Sequence, residues 1–124
     1  MASSALQRKL RFGGLASIAI FAAPRGLAAL VSEIVGDGRR TGSGGDGAIA
    51  FARSSADLER AFAQLAPFVA DDMPAWLAYP KRTGAIESDL DRDQLMARGT
   101  ERSMRAVAQV ALDDTWSAIR LRPA

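Results

Sequence analysis

Three short apolar runs constrain this chain more than any other feature: Ala16-Ser17-Ile18-Ala19-Ile20-Phe21-Ala22, Ala48-Ile49-Ala50-Phe51-Ala52 and Pro74-Ala75-Trp76-Leu77-Ala78-Tyr79-Pro80. None alternates apolar with polar residues, so none reads as a strand with one face in water. Each reads as a strand covered on both faces. The third ends at a proline, which has no amide to give to a ladder.

The segments between the runs supply the cover. After the first run, Leu27, Leu30, Val31 and Ile34 recur at helical spacing and stop at Gly36. After the second, Ser54 or Ser55 is placed to cap a helix from Ala56 to about Ala70, with Leu58, Phe62, Leu65 and Val69 on its buried side. Pro67 is expected to kink or end that helix near Ala66, with an irregular continuation to Asp72. A polar connection, Lys81 to Ser88, leads to a short helix over Arg92 to Arg98, capped by Asp89 or Asp91 and stopped by Gly99. Met104 to Leu112 and Thr115 to Arg122 alternate in part on either side of Asp113-Asp114, a hairpin with the acidic pair at its tip.

This order predicts one α/β domain over residues 1–124, with three parallel βα units closed by a C-terminal hairpin whose last strand runs antiparallel. Residues 1–12 read as an amphipathic lead-in. Residues 37–47 (DGRRTGSGGDG) hold almost no apolar side chain and read as a flexible, glycine-rich surface loop. Gln7-Arg8-Lys9-Leu10-Arg11 before the stretch Phe12 to Pro24 also has the charge and core pattern of a signal peptide. The stretch is shorter than the ~20 residues of a membrane span and contains adjacent glycines, so no membrane association and a cytoplasmic location are expected.

Composition narrows the chemistry. With no cysteine and no histidine, the chain has neither thiolate nor imidazole for catalysis or metal binding. No cofactor and no metal are expected. Its 16 basic and 14 acidic residues are mixed along the chain, which argues against a nucleic-acid partner. Asp89-x-Asp91-x-Asp93 lacks the glycine and terminal glutamate of a calcium loop and reads as helix capping.

Two resemblances follow from the motifs. Three βα units closed by an antiparallel hairpin resemble the later half of a Rossmann-like methyltransferase sheet, which implies a small three-layer sandwich with strand order first, second, third, fifth, fourth. The cofactor motif is missing: Ala22-Ala23-Pro24-Arg25-Gly26 stands where a glycine-rich turn belongs, and no acidic residue ends the second strand. From Trp76-Leu77-Ala78-Tyr79-Pro80-Lys81 through Asp89-Leu90-Asp91-Arg92-Asp93 to Asp113-Asp114-Thr115-Trp116-Ser117-Ala118-Ile119-Arg120-Leu121-Arg122-Pro123, the chain also resembles a group of small bacterial proteins forming a domain of unknown function. They share a YPK, LDRD and DDxWSAxRxRP pattern, which implies a fold and supplies no activity.

In an open α/β sheet, ligands meet the carboxyl ends of the parallel strands. Those ends carry Arg25, Arg53, Ser54, Tyr79, Lys81 and Arg82, and the hairpin brings Asp113, Asp114 and Trp116 to the same rim. A basic rim beside helix N-termini suits an anion. Alternatively, Lys81 and Arg82 pair with Asp89, Asp91, Asp113 or Asp114 and tie the loops to the hairpin. Gly42-Ser43-Gly44-Gly45-Asp46-Gly47 has the letters of a dinucleotide fingerprint but precedes a strand, so it reads as a linker. Trp76 and Trp116 read as packing residues; an exposed Trp116 beside Arg120 and Arg122 would instead suit nucleic acid. The resulting expectation is a non-catalytic domain acting through self-association or a protein partner at its sheet edges. Binding of a small anionic or nucleotide-like ligand at the rim is the alternative, and a small transferase is the third.

Overall fold

The apolar runs become the interior of one six-stranded mixed sheet in the computed structural model, which describes residues 4–82 and 86–124. In chain order the elements are α1 (Ala5–Leu10), β1 (Ser17–Phe21), α2 (Ala28–Val35), β2 (Arg39–Thr41), β3 (Gly47–Phe51), a 3-10 turn (Ser55–Asp57), α3 (Leu58–Ala70), β4 (Ala75–Pro80), α4 (Arg92–Thr100), β5 (Met104–Ala111) and β6 (Trp116–Pro123). The sheet order is β2-β1-β3-β4-β6-β5. The strands β2, β1, β3 and β4 are parallel, and β6 runs antiparallel to both β4 and β5. Leaving β2 aside, the remaining strands stand in the order that the resemblance implies.

Alternation along each strand divides the core in two. Ala48 and Ala50 of β3 face Leu58, Phe62 and Leu65 of α3, in a cluster that also takes in Leu95 of α4. Ile49 and Phe51 point the other way, toward Leu30, Val31 and Ile34 of α2 and Leu6 and Leu10 of α1. Phe62 and Leu65 are wholly buried, and removing each from water contributes about 1.5–3 kcal/mol. The absence of polar alternation in the runs thus has its cause: helices pack against both faces.

The N-terminal stretch is part of this core. Ser4 caps α1 by accepting from the Gln7 amide at 3.0 Å, and Leu6, Leu10 and Phe12 are buried. The basic residues Arg8 and Lys9 lie in the last turn of α1, whose Leu10 carbonyl accepts from Trp76 Nε1 at 2.8 Å.

Residues 37–47 differ from expectation. Arg39 to Thr41 form an edge strand parallel to β1, since pairing a backbone needs no apolar side chain. Residues 42–46 then cross β1 to reach β3 on its far side. Parallel strands usually need a connection of a dozen or more residues. Here Thr41 pairs at the level of Ala19 and Gly47 at Ile18, so the link moves sideways only. Two strand spacings are about 10 Å, within the ~17 Å reach of so short a link. It is pinned to β1 through Asp46, whose amide donates to the Ser17 carbonyl and whose carboxylate accepts from the Ser17 amide.

Other boundaries also move. The α3 helix runs through Pro67 to Ala70, because a proline one turn from the end removes a partner only from the Ala63 carbonyl. Asp91 is the cap of α4, accepting from the Gln94 amide at 2.8 Å, and Gly99 lies inside the helix. Asp113 folds the hairpin tip by accepting from the Thr115 and Trp116 amides at 2.8 and 2.7 Å. The connection from Lys81 to Ser88 lies partly outside the described residues.

Candidate functional site

The two central parallel strands send the chain to opposite faces. From β1 it passes into α2, and from β3 into α3, which pack on different sides of the sheet. Between two such ends no connection crosses the rim, and a crevice remains open. A cavity of about 440 Å³ occupies this place, lined by Ala22, Pro24, Arg25, Phe51, Arg53, Asp57 and Arg60.

Each functional side chain there has a local cause. Ala22 turns the chain out of β1 with φ of 59°, a left-handed conformation that strains a residue with a Cβ. Arg25 and Arg53 lie in the turns that leave β1 and β3 and are exposed. Arg60 lies further along α3, and its Nη2 donates to the Phe51 carbonyl at 2.7 Å, which aims the guanidinium at the strand end. Asp57 accepts from the Arg53 amide at 2.9 Å. Among the described residues the ion pairs are Arg98 with Glu59 and Glu101, Arg102 with Glu59, and Arg122 with Asp72. None involves Arg25, Arg53 or Arg60.

The expected single rim resolves into separate neighbourhoods. Arg25 and Arg53 share the crevice. Ser54 and Arg82 instead line a second cleft of about 640 Å³ with Ile86, Glu87, Ser88 and Asp89. There Asp89 accepts from both the amide and the hydroxyl of Ser55, which hold its carboxyl below the ordinary range. The Ser88 hydroxyl donates to the Arg53 carbonyl at 2.6 Å.

The remaining candidates serve the fold. Tyr79 is buried, which pushes its phenol pKa up, and its oxygen accepts from Gln109 Nε2 at 3.0 Å. Trp116 is only 1% exposed and packs edge-on against Phe51 at 5.3 Å, so it offers no stacking surface. Lys81 donates its amide to the Thr115 carbonyl at 2.8 Å. Asp113 is committed to the hairpin turn, and Asp114 is exposed beside it. No ion pair among the described residues joins Lys81 or Arg82 to Asp89, Asp91, Asp113 or Asp114.

Strand-end reasoning missed Arg60 and Asp57, because both reach the crevice from a helix rather than from a strand terminus. Their signal was present: on a helix starting near Ser55, Asp57 lies in the first turn and Arg60 one turn later, off the stripe of Leu58, Phe62 and Leu65. Two of the amides near this helix start are already engaged, those of Arg53 and Ser55 by Asp57 and Asp89. The crevice lining carries three guanidinium groups, which are always charged and donate in a planar fork of the kind that suits phosphate or carboxylate. Compared with known proteins, the chain matches no family model, no curated protein and no solved structure.

Proposed function

We propose that this chain binds a small anionic ligand in the crevice between the carboxyl ends of β1 and β3, as a non-catalytic, cytoplasmic domain of Rossmann-like, three-layer type. One observation carries the reading: among the described residues, Arg25, Arg53 and Arg60 line the crevice with Asp57 as its only acidic residue. The resemblance to small bacterial proteins fits this reading as a shared scaffold. In its motifs Leu90 and Trp116 are buried, Asp91 caps α4 and Asp113 folds a turn. These are fold-making roles, and the crevice residues lie outside them.

The test is thermal denaturation with inorganic phosphate, pyrophosphate and adenosine monophosphate, run on the native chain and on an Arg25→Ala/Arg53→Ala variant. A ligand at 100 times its Kd adds about 2.7 kcal/mol to stability. The expected result is a rise in Tm of several degrees that the double variant loses. No rise at millimolar ligand, or an equal rise in the variant, removes the reading.

A second reading, association through a sheet edge, is favoured by Val107, which is 40% exposed on the eight-residue edge strand β5. Against it, the irregularity between Ala106 and Ala108 and the charge of Arg105 are features that discourage edge pairing. Sedimentation of the native chain and a Val107→Lys variant separates the two: a dimer lost in the variant supports association.

A further inference from the structure

A third cavity follows the crevice along α3. It measures about 310 Å³ and lies between the helix and the crossover, lined by Phe21 and Met73, by Ala63, Gln64, Pro67 and Phe68 of α3, by residues 43–45 and by Asp71. That volume is at the small end of the range for small-molecule sites. Arg60 of the crevice and Ala63, Gln64 and Pro67 of this cavity stand at i, i+3, i+4 and i+7, which is one stripe of a helix. At the other wall, Phe21 of the cavity is followed in the chain by Ala22 of the crevice. The two spaces therefore lie end to end, cationic at the sheet rim and apolar beneath.

Two residues of the apolar cavity's wall, Gln64 and Ala63, carry an acceptor short of a donor. Gln64 Oε1 is buried and has no hydrogen-bond partner among the described residues. The Ala63 carbonyl lacks its helical partner because Pro67 carries no N–H. A buried acceptor left unmatched costs about 1–3 kcal/mol, and a ligand donor that meets the Gln64 amide once its side chain turns toward the cavity recovers that cost.

We propose that the ligand of the crevice carries an apolar ring bearing a hydrogen-bond donor, with its anionic group among Arg25, Arg53 and Arg60 and its ring in the cavity beside Gln64. This rests on the crevice binding an anion. Arg60 and Gln64 are separated by about 6 Å of helix rise, so a compact single-ring ligand is the one chosen to probe both spaces.

The experiment is an amide NMR titration of the native chain with inorganic phosphate, phenyl phosphate and 4-aminophenyl phosphate, repeated with Ala63→Trp and Gln64→Leu. Ala63 is exposed, so the tryptophan blocks the cavity mouth without entering the core. The expected result is a Kd at least tenfold lower for 4-aminophenyl phosphate than for phosphate, with shifts at Gly44, Gly45 and Gln64 that phosphate does not cause. Ala63→Trp is expected to abolish this gain and leave phosphate binding intact, and Gln64→Leu to erase the preference for the amino over the plain ring. Phosphate binding with no gain from the ring, or a gain that survives Ala63→Trp, overturns the inference and leaves the anion reading standing. Binding by none of the three overturns both.

Discussion

Arg120 is the side chain whose surroundings fit it least. Its Nε is buried without a hydrogen-bond partner among the described residues, and burial together with Arg122 and Arg11 pushes its pKa down, against a pull upward from Asp72. A charge so placed is more often tolerated than stabilising. Arg120→Met keeps the apolar stem and drops the charge. It is expected to raise stability by about 1 kcal/mol, a modest gain because water still reaches part of the guanidinium. Urea denaturation measures it, and a lower midpoint in the variant would sink the argument. Gln7 shows the opposite case. It is 5% exposed, and its Nε2 donates to the Ile34 and Val35 carbonyls at 3.1 and 2.8 Å, closing the end of α2 from a helix far away in sequence.

Among the elements, the crossover after β2 makes the sharpest demand on sequence. Gly44 has φ of +68° and open space around the place a Cβ would take, whereas Gly45 has φ of +133° and a Cβ there would stand 3.2 Å from Ser17 Oγ. Gly44→Ala is therefore expected to cost about 1 kcal/mol, and Gly45→Ala about 2–3 kcal/mol. Equal urea midpoints for the two variants would refute the ranking. This element also marks where sequence reading stopped. Strands β1, β3 and β4 were legible because an unbroken apolar run has few other homes, and the hairpin because Asp113 announces its turn. The edge strand β2 was not, since Arg39 and Arg40 join by backbone alone. In the site, Arg25 and Arg53 were legible as strand-end residues, but Tyr79 and Trp116 share that position and turn inward. Position along a strand fixes the level of a residue, while the face it takes depends on register with neighbours that sequence does not display.

At the scale of the molecule, the shifted acids set the pH response. Glu59 is held low chiefly by its bond from Arg102, Asp72 by Arg122 and Asp89 by Ser55. Each binds a proton less readily folded than unfolded, so their stabilisation is present above the ordinary carboxylate range of about 4 and is lost as pH falls below it. Tyr79 is shifted up by burial, so its contribution is lost as pH rises past about 10. The urea midpoint is expected to be level between those limits and to fall outside them, with Asp89→Asn making the acid limb shallower. A step between pH 6 and 7 would contradict this, since the chain has no histidine. The sheet order has a consequence for synthesis as well. Strand β6 follows every other strand in sequence yet lies between β4 and β5. On the ribosome, β4 emerges with one neighbour missing, and it keeps a bare, adhesive edge until the residues up to Pro123 have cleared the exit tunnel. A nascent chain stalled before Trp116 therefore presents an open half-sheet, the kind of surface that chaperones hold and that unattended chains use to aggregate.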